Sequence, residues 1–326
     1  MKLSLGEIQS ITNGALRVTE ESDGIHFYRC TEKQIAAWHT FSDSLYNGAR
    51  CTTGVRLDFV TDSKHLSFSA SSGKKYELWI DGLLREKFDM SEKLASGEPM
   101  QVPLTDPLGH EKDEVRVTLW LPSHSKGVLT AVELDDGATF RPYDGYKKKI
   151  LFIGDSITQG WDAAYDSLSY THRVAAYYDA SFLNQGIGGA FYHENCFDTF
   201  DFDPDLVTVA YGTNDFGRFP TYDEMRKHVK AHLSLIAEAY KDKKVFVLTP
   251  IWRDKREGKK MGTFENACAI VAEEATALGL TVIDGLTLVP PIPEFFADAY
   301  LHPNMNGFAV YAENLIRALN AHLRYG

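Results

Sequence analysis

The sequence predicts an α/β protein: a three-layer α/β/α domain on a parallel sheet, preceded by an antiparallel β-sandwich or jelly roll. Three observations carry this. Over the first 140 or so residues apolar and polar residues alternate in short, closely spaced runs. Later, short apolar runs alternate with longer segments whose apolar residues repeat at helical spacing. The change falls after Tyr143-Asp144-Gly145-Tyr146, which divides the chain into 1–147 and 148–326.

In the first part, Ile25-His26-Phe27-Tyr28-Arg29 alternates partly, and Gly54-Val55-Arg56-Leu57-Asp58-Phe59-Val60 and Leu66-Ser67-Phe68-Ser69-Ala70 alternate cleanly. Residues 76–80 and 83–88 flank Asp81-Gly82, which supplies the positive φ angles of a tight hairpin turn. Residues 114–121 and 128–134 add two further strands. No segment here repeats at 3.6 residues. Such a succession of short strands argues a sandwich or jelly roll.

In the second part, residues 149–153, 206–210 and 244–248 are apolar strands, with weaker members at 181–183 and 281–283. Between them lie helical patterns at 222–240 and 263–278, and a last amphipathic helix spans 306–323. Strands alternating with helices give βαβ units and a buried parallel sheet.

Composition removes several classes of function. The chain has 326 residues, enough for about two domains, and 44% are hydrophobic, which excludes disorder by composition. No apolar run reaches the roughly 20 residues of a membrane span, and the N-terminus does not read as a secretory signal, so a cytoplasmic location is expected. With 34 Lys plus Arg against 45 Asp plus Glu, the net charge is −11. Nucleic acid and anionic lipid both demand a cationic face and are excluded as general partners. The runs Lys147-Lys148-Lys149 and Lys255-Arg256 with Lys259-Lys260 read as solvated loop edges. Cys30, Cys51, Cys196 and Cys268 form no C-x-x-C pair and read as free thiols, with a Cys30–Cys51 bridge left open.

In an open parallel sheet, function gathers beyond the carboxyl ends of the strands. Four such segments carry small and polar residues: Gly154-Asp155-Ser156-Ile157-Thr158, Asn184-Gln185-Gly186-Ile187-Gly188-Gly189, Tyr211-Gly212-Thr213-Asn214-Asp215, and Asp298-Ala299-Tyr300-Leu301-His302-Pro303-Asn304. Together, in this order, they resemble the SGNH (GDSL) hydrolase superfamily, whose blocks centre on a Ser, a Gly, an Asn and a His. The resemblance covers residues 148–326. With the strand-rich first part, the layout is also similar to two-domain carbohydrate esterases of family 2.

The chemistry follows residue by residue. A serine hydroxyl needs a neighbouring base to become a nucleophile. Ser156 is the expected nucleophile and His302 the base, since imidazole titrates near neutrality and can return the proton to a leaving alcohol. Position 158 is not glycine, so this is not the G-x-S-x-G elbow of α/β-hydrolases. The resemblance assigns the oxyanion hole to the backbone N–H of Gly189, the side-chain amide of Asn214 and the N–H of Ser156. Gly186 is an alternative donor, and Asp155, Asn184 and Asp215 are expected to brace the loops.

The third member of the triad is less direct. The superfamily places an aspartate three residues before the histidine, where this chain has Ala299, and the nearest acid is Asp298, four residues before His302. A one-residue insertion lets Asp298 reach Nδ1; otherwise a backbone carbonyl orients the ring and leaves a Ser–His dyad. Trp161, Phe191, Tyr192 and Trp252 flank the loops and are candidates to stack on sugar rings or to line an acyl pocket. His172 and His193 have no second ligand at metal spacing, so no metal site is expected.

The resulting expectation is a serine esterase that needs no cofactor and removes small acyl groups, acetyl above all, from acetylated oligosaccharides or another small ester. Two alternatives stay open: a lipase or thioesterase acting on longer chains, and a non-catalytic carbohydrate-binding protein. The sandwich is read as a glycan binder, a wall of the site, or a surface for homo-oligomerisation.

Overall fold

The computed structural model describes residues 1–256 and 261–323, so Lys259 and Lys260 of the second basic run fall outside it. Its first elements are α1 (Leu5–Ile11), β1 (Thr12–Asn13), β2 (Arg17–Glu21), β3 (Gly24–Tyr28), α2 (Glu32–His39), α3 (Asp43–Ala49), β4 (Arg56–Thr61) and β5 (His65–Ser72). Next come β6 (Lys75–Ile80), β7 (Leu83–Asp89), α4 (Ser91–Ser96), β8 (Met100–Pro103), β9 (Val115–Trp120), β10 (Val128–Leu134) and β11 (Phe140–Pro142). The remainder is β12 (Lys148–Gly154), α5 (Ser156–Gln159), α6 (Tyr170–Tyr177), β13 (Ala180–Gly186), β14 (Leu206–Ala210), α7 (Asp215–Arg218), α8 (Tyr222–Ala239), β15 (Lys244–Leu248), α9 (Phe264–Ala277), β16 (Thr281–Ile283) and α10 (Met305–Leu323).

The chain forms two compact units. The first holds Met1–Cys30 and Arg50–Tyr146; the second holds Thr31–Ala49 and the residues from Lys147 onward. The sequence grouped residues 31–49 with the strand-rich part, and here the structure corrects it. It also places helices where no helical period was read. The reason is length: α1, α2, α3 and α4 have six to eight residues each, about two turns, too few to display a period.

The first unit is a sandwich of two antiparallel sheets. One runs β1-β4-β9-β6-β7, with β11 also on β4, and the other runs β2-β3-β10-β5-β8. Leu57, Phe59, Leu78, Val117 and Leu119 from the first sheet share one buried core with Phe27, Leu66, Phe68, Leu129 and Val132 from the second. The β6–β7 turn has φ of 51° at Asp81 and 78° at Gly82, the paired positive values that let a two-residue loop follow the strand twist.

In the second unit the five strands run parallel in the order β13-β12-β14-β15-β16. Ile150, Leu151, Phe152 and Ile153 of β12 are all buried, as expected of an interior strand covered on both faces. Helices α6 and α10 pack together, as do α8 and α9, supplying the outer layers. The chain leaves β12 for β13 on one side and later returns to β14 on the other. That reversal opens a crevice at the carboxyl ends beside β12, and the register sets Gly154 opposite both Gly186 and Ala210 there. No helix among the described residues is long and apolar enough to cross a membrane.

Candidate active site

The turn from β12 into α5 admits little variation at its first residue. A Cβ on Gly154 would lie 2.1 Å from Thr158 Oγ1 and 2.7 Å from the Ala210 carbonyl oxygen. Asp155 then caps the helix, its carboxylate accepting the Ile157 N–H at 2.9 Å. One helical turn later the chain stops at Gly160, with φ at 81°. Ser156 therefore sits at the first helical position, just beyond the carboxyl end of the interior strand β12.

Its hydroxyl meets His302. Ser156 Oγ lies 2.9 Å from His302 Nε2, and His302 Nδ1 lies 2.8 Å from Asp298 Oδ2. The other carboxylate oxygen of Asp298 accepts the N–H groups of Tyr300, Leu301 and His302 at 3.0, 2.8 and 3.0 Å. Partial burial pushes the Asp298 carboxyl up, but these three N–H groups and the imidazole outweigh it and hold the group below its ordinary value. The spacing of four residues is absorbed at Ala299, which takes a left-handed φ of 61°. Of the two arrangements left open by the sequence, the Asp298 carboxylate is the one facing Nδ1.

The loops after β13 and β14 are tied to one another. Asn214 Nδ2 donates to the Ala190 carbonyl at 2.9 Å. Asp215 Oδ1 accepts the Tyr192 N–H and its Oδ2 the Gly212 N–H, both at 2.9 Å. Gln159 Oε1 accepts the Gly188 N–H at 2.7 Å. Gly189, with φ at 82°, is exposed on the resulting turn, and its N–H has no hydrogen-bond partner among the described residues. Gly186 is engaged elsewhere: its N–H goes to Asn184 Oδ1 at 2.8 Å, and a Cβ there would lie 2.3 Å from the Gln159 nitrogen. Asn184 also donates to the Thr158 carbonyl at 2.8 Å. Asp155, Asn184 and Asp215 thus brace the rim. Burial pushes the carboxyls of Asp155 and Asp215 up to about 7 each, against the pull of the N–H groups they accept.

Two of the four flanking aromatics are placed differently from expectation. Phe191 and Tyr192 are 1% and 0% exposed. After the glycine turn the chain dives inward, so Phe191 packs edge-on against Trp38 and Phe41, and Tyr192 packs against Tyr211 and His232. Neither can stack on a substrate. Trp161 is 44% exposed, with its ring 6.3 Å from that of His302. Trp252 is half-buried and leans on Phe296 at 5.1 Å.

The sequence reading missed the support that α2 and α3 give this rim. Gln34 and Gln185 exchange amide hydrogen bonds at 3.0 and 3.1 Å in a buried position. A Cβ on Gly48 would lie 2.9 Å from Ile187 Cγ2, and one on Gly189 would lie 3.8 Å from Leu45 Cδ2. The available signal was the capping box Thr31-x-x-Gln34 ahead of Ile35 and Trp38. It missed Asp162 as well, whose carboxylate lies 3.9 Å from His302 Nδ1. The histidine read as isolated, His193, is brought beside Glu194 and His228, with the two imidazoles stacked 4.6 Å apart; its Nδ1 accepts the Asn195 N–H. None of the four cysteines, all among the described residues, forms a disulfide bond.

The chain is similar to known proteins in family and in fold. Residues 152–310 match the GDSL-like lipase/acylhydrolase family. No curated protein matches the chain. Among solved structures, a salicylyl-acyltransferase from a tetracycline biosynthetic pathway is similar, with TM-score 0.77, 19% identity, and coverage of 95% of this chain and 94% of that one. A Bacteroides ovatus protein described as a GDSL-like lipase has TM-score 0.74 at 19% identity, covering 97% of each chain. A family two carbohydrate esterase from Cellvibrio japonicus has TM-score 0.68 at 17% identity, covering 98% and 97%. These likenesses extend across both units and establish the fold. With residues 152–310 matching that family over this fold, the protein is an esterase of the GDSL/SGNH type.

Proposed function

We propose that the protein removes small O-acyl groups, acetyl above all, from a carbohydrate through an acyl-enzyme on Ser156. The observation that carries this is the line of contacts from Ser156 Oγ to His302 Nε2 at 2.9 Å and from His302 Nδ1 to Asp298 at 2.8 Å. As Ser156 attacks the ester carbonyl, its proton passes to Nε2, and Asp298 holds the imidazolium. The oxyanion is received by the N–H groups of Gly189 and Ser156 and by the free hydrogen of the Asn214 amide. Collapse breaks the ester C–O bond, and His302 gives its proton to the leaving alcohol. Water, activated by the same imidazole, then releases the acid and restores Ser156.

Two observations support a sugar ester with a short acyl group. Trp161 offers an exposed indole near His302, suited to stacking on a sugar ring. Phe191 and Tyr192, which could have lined an apolar groove, are consumed by the core. The fold likeness to a family two carbohydrate esterase points the same way. The test is acetate release from acetylated xylan, mannan and monosaccharides, with Ser156→Ala as control, alongside p-nitrophenyl acetate and octanoate. Preference for octanoate would overturn the sugar-acetate reading, and a protein whose Ser156 is not labelled by a fluorophosphonate would overturn the esterase mechanism.

A further inference from the structure

Asp162 lies outside the four strand-end segments, in the turn that follows α5. The turn is bound to the helix carrying Ser156: the Trp161 N–H donates to the Ser156 carbonyl at 2.8 Å and the Ala163 N–H to the Gly160 carbonyl at 2.9 Å. Asp162 itself is held at a φ of 68°. That left-handed conformation costs a non-glycine residue roughly 1–2 kcal/mol, and aspartate and asparagine are among the few side chains that visit it routinely. The strained turn delivers the carboxylate to His302, with Oδ2 3.9 Å from Nδ1.

The two acids near that ring differ in their commitments. Asp298 spends one oxygen on three backbone N–H groups and sets the other 2.8 Å from Nδ1. Among the described residues the Asp162 carboxylate makes no hydrogen bond, and the one basic side chain within 4 Å of it is the His302 imidazole. Asp298 travels with the histidine loop, whereas Asp162 travels with the serine helix. Two carboxylates converging on one Nδ1–H repel each other while the ring is neutral and are both satisfied once it is charged. The arrangement therefore favours the state reached when His302 has taken the Ser156 proton, and such differential stabilisation is what lowers a barrier.

Resting on the Ser156–His302 reading above, we propose that Asp162 is a second positioning acid for His302. It stabilises the imidazolium alongside Asp298 and takes up the Nδ1–H when Asp298 is removed. The proton moves only between Ser156 Oγ, Nε2 and the leaving alcohol; Nδ1 keeps its hydrogen and neither aspartate is protonated. Among the described residues, the charged groups paired with the ring are Asp298 in its own loop and Asp162 from the turn after α5. Arg253, after β15, interacts with Tyr300, Asp155, Asp298 and Asp254 and balances that side.

The experiment compares the unsubstituted protein, Asp162→Asn, Asp162→Gly, Asp298→Asn and the Asp162→Asn/Asp298→Asn pair on p-nitrophenyl acetate from pH 5 to 9. Asn and Gly both tolerate the left-handed turn, so a loss common to the two reports the charge rather than the fold. Asp162→Asn lowers kcat about threefold to tenfold with KM little changed, the size expected of a partly exposed charge at this range. It also moves the acid limb of kcat/KM to lower pH, because an imidazolium with one fewer anion beside it gives up its proton more readily. In the Asp298→Asn background the same substitution costs at least about tenfold more than it does alone, the coupling expected of groups that share a partner. Equal losses in the two backgrounds, or an unmoved acid limb, overturn the proposal. Fluorophosphonate labelling of Ser156 in the unsubstituted protein separates the cases: without labelling the esterase reading fails, whereas labelling without coupling sinks only the role of Asp162.

Discussion

Asn214 donates one amide hydrogen to the carbonyl of Ala190 at 2.9 Å, latching the loop after β14 to the glycine loop after β13. An amide nitrogen carries two hydrogens, so the latch also fixes the direction of the second. Removing the side chain with Asn214→Ala takes away the proposed oxyanion donor and frees the turn holding Gly189. Loss of one such donor typically costs about 3–4 kcal/mol of barrier. The expected outcome is a kcat on p-nitrophenyl acetate lower by roughly 10²–10³-fold, with folding retained. A decrease under threefold would remove Asn214 from the oxyanion hole.

Gln34 and Gln185 answer each other's amides in a buried position, 151 residues apart in sequence. Gln34→Leu takes from the buried Gln185 amide both hydrogen bonds that it exchanges with Gln34, at a cost of about 1–3 kcal/mol. The second substitution, Gln185→Leu, removes the other half of the exchange and recovers part of the loss. Urea midpoints of the three variants measure this. Were residues 31–49 a loose connection, Gln34→Leu would leave the midpoint where it was.

What the sequence could reveal follows from the range of each interaction. Strands β12, β14 and β15 announce themselves because a sheet covered on both faces makes them apolar throughout. Their ends then line up the chemistry, and Ser156, Asn214 and His302 stand out as polar residues where packing does not call for them. The membership of residues 31–49 was not legible, since α2 and α3 are too short to show a period and their partners, Gln185, Ile187 and Phe191, lie far along the chain. The fates of Phe191 and Trp161 were equally hidden. Both flank a loop as aromatics, and only tertiary packing sends one into the core and leaves the other exposed. The fit of Asp298 turned on a single left-handed alanine, Ala299, which no pattern announces.

Burial raises Asp155 and Asp215 to about 7, well above the value each has in the unfolded chain. A carboxyl of this kind contributes stability that is present below its unfolded pKa and lost as pH rises through its folded one, because the native state binds the extra proton. Asn at position 155 keeps the oxygen that accepts the Ile157 N–H and has no proton to lose. Relative to the unsubstituted protein, Asp155→Asn should therefore gain stability steadily between pH 5 and pH 8, read from urea midpoints at each pH. A stability difference independent of pH would show that the carboxyl is ionised throughout.

Trp161 presents 44% of its surface to solvent while its ring lies 6.3 Å from that of His302, tilted by 44°. An exposed indole beside the expected proton-transfer residue makes a platform for the apolar face of a sugar, and an aromatic stack of this kind contributes about 1 kcal/mol beyond its buried area. Trp161→Ala should raise KM for an acetylated oligosaccharide roughly tenfold, as area burial and stacking are lost together. The p-nitrophenyl acetate KM should rise less, since that small ester gains little from a platform built for a saccharide ring. Steady-state kinetics on the two substrates side by side measure the split. Equal increases for both would assign Trp161 to holding His302 in place, and an unchanged KM for the oligosaccharide would place the sugar elsewhere on the molecule.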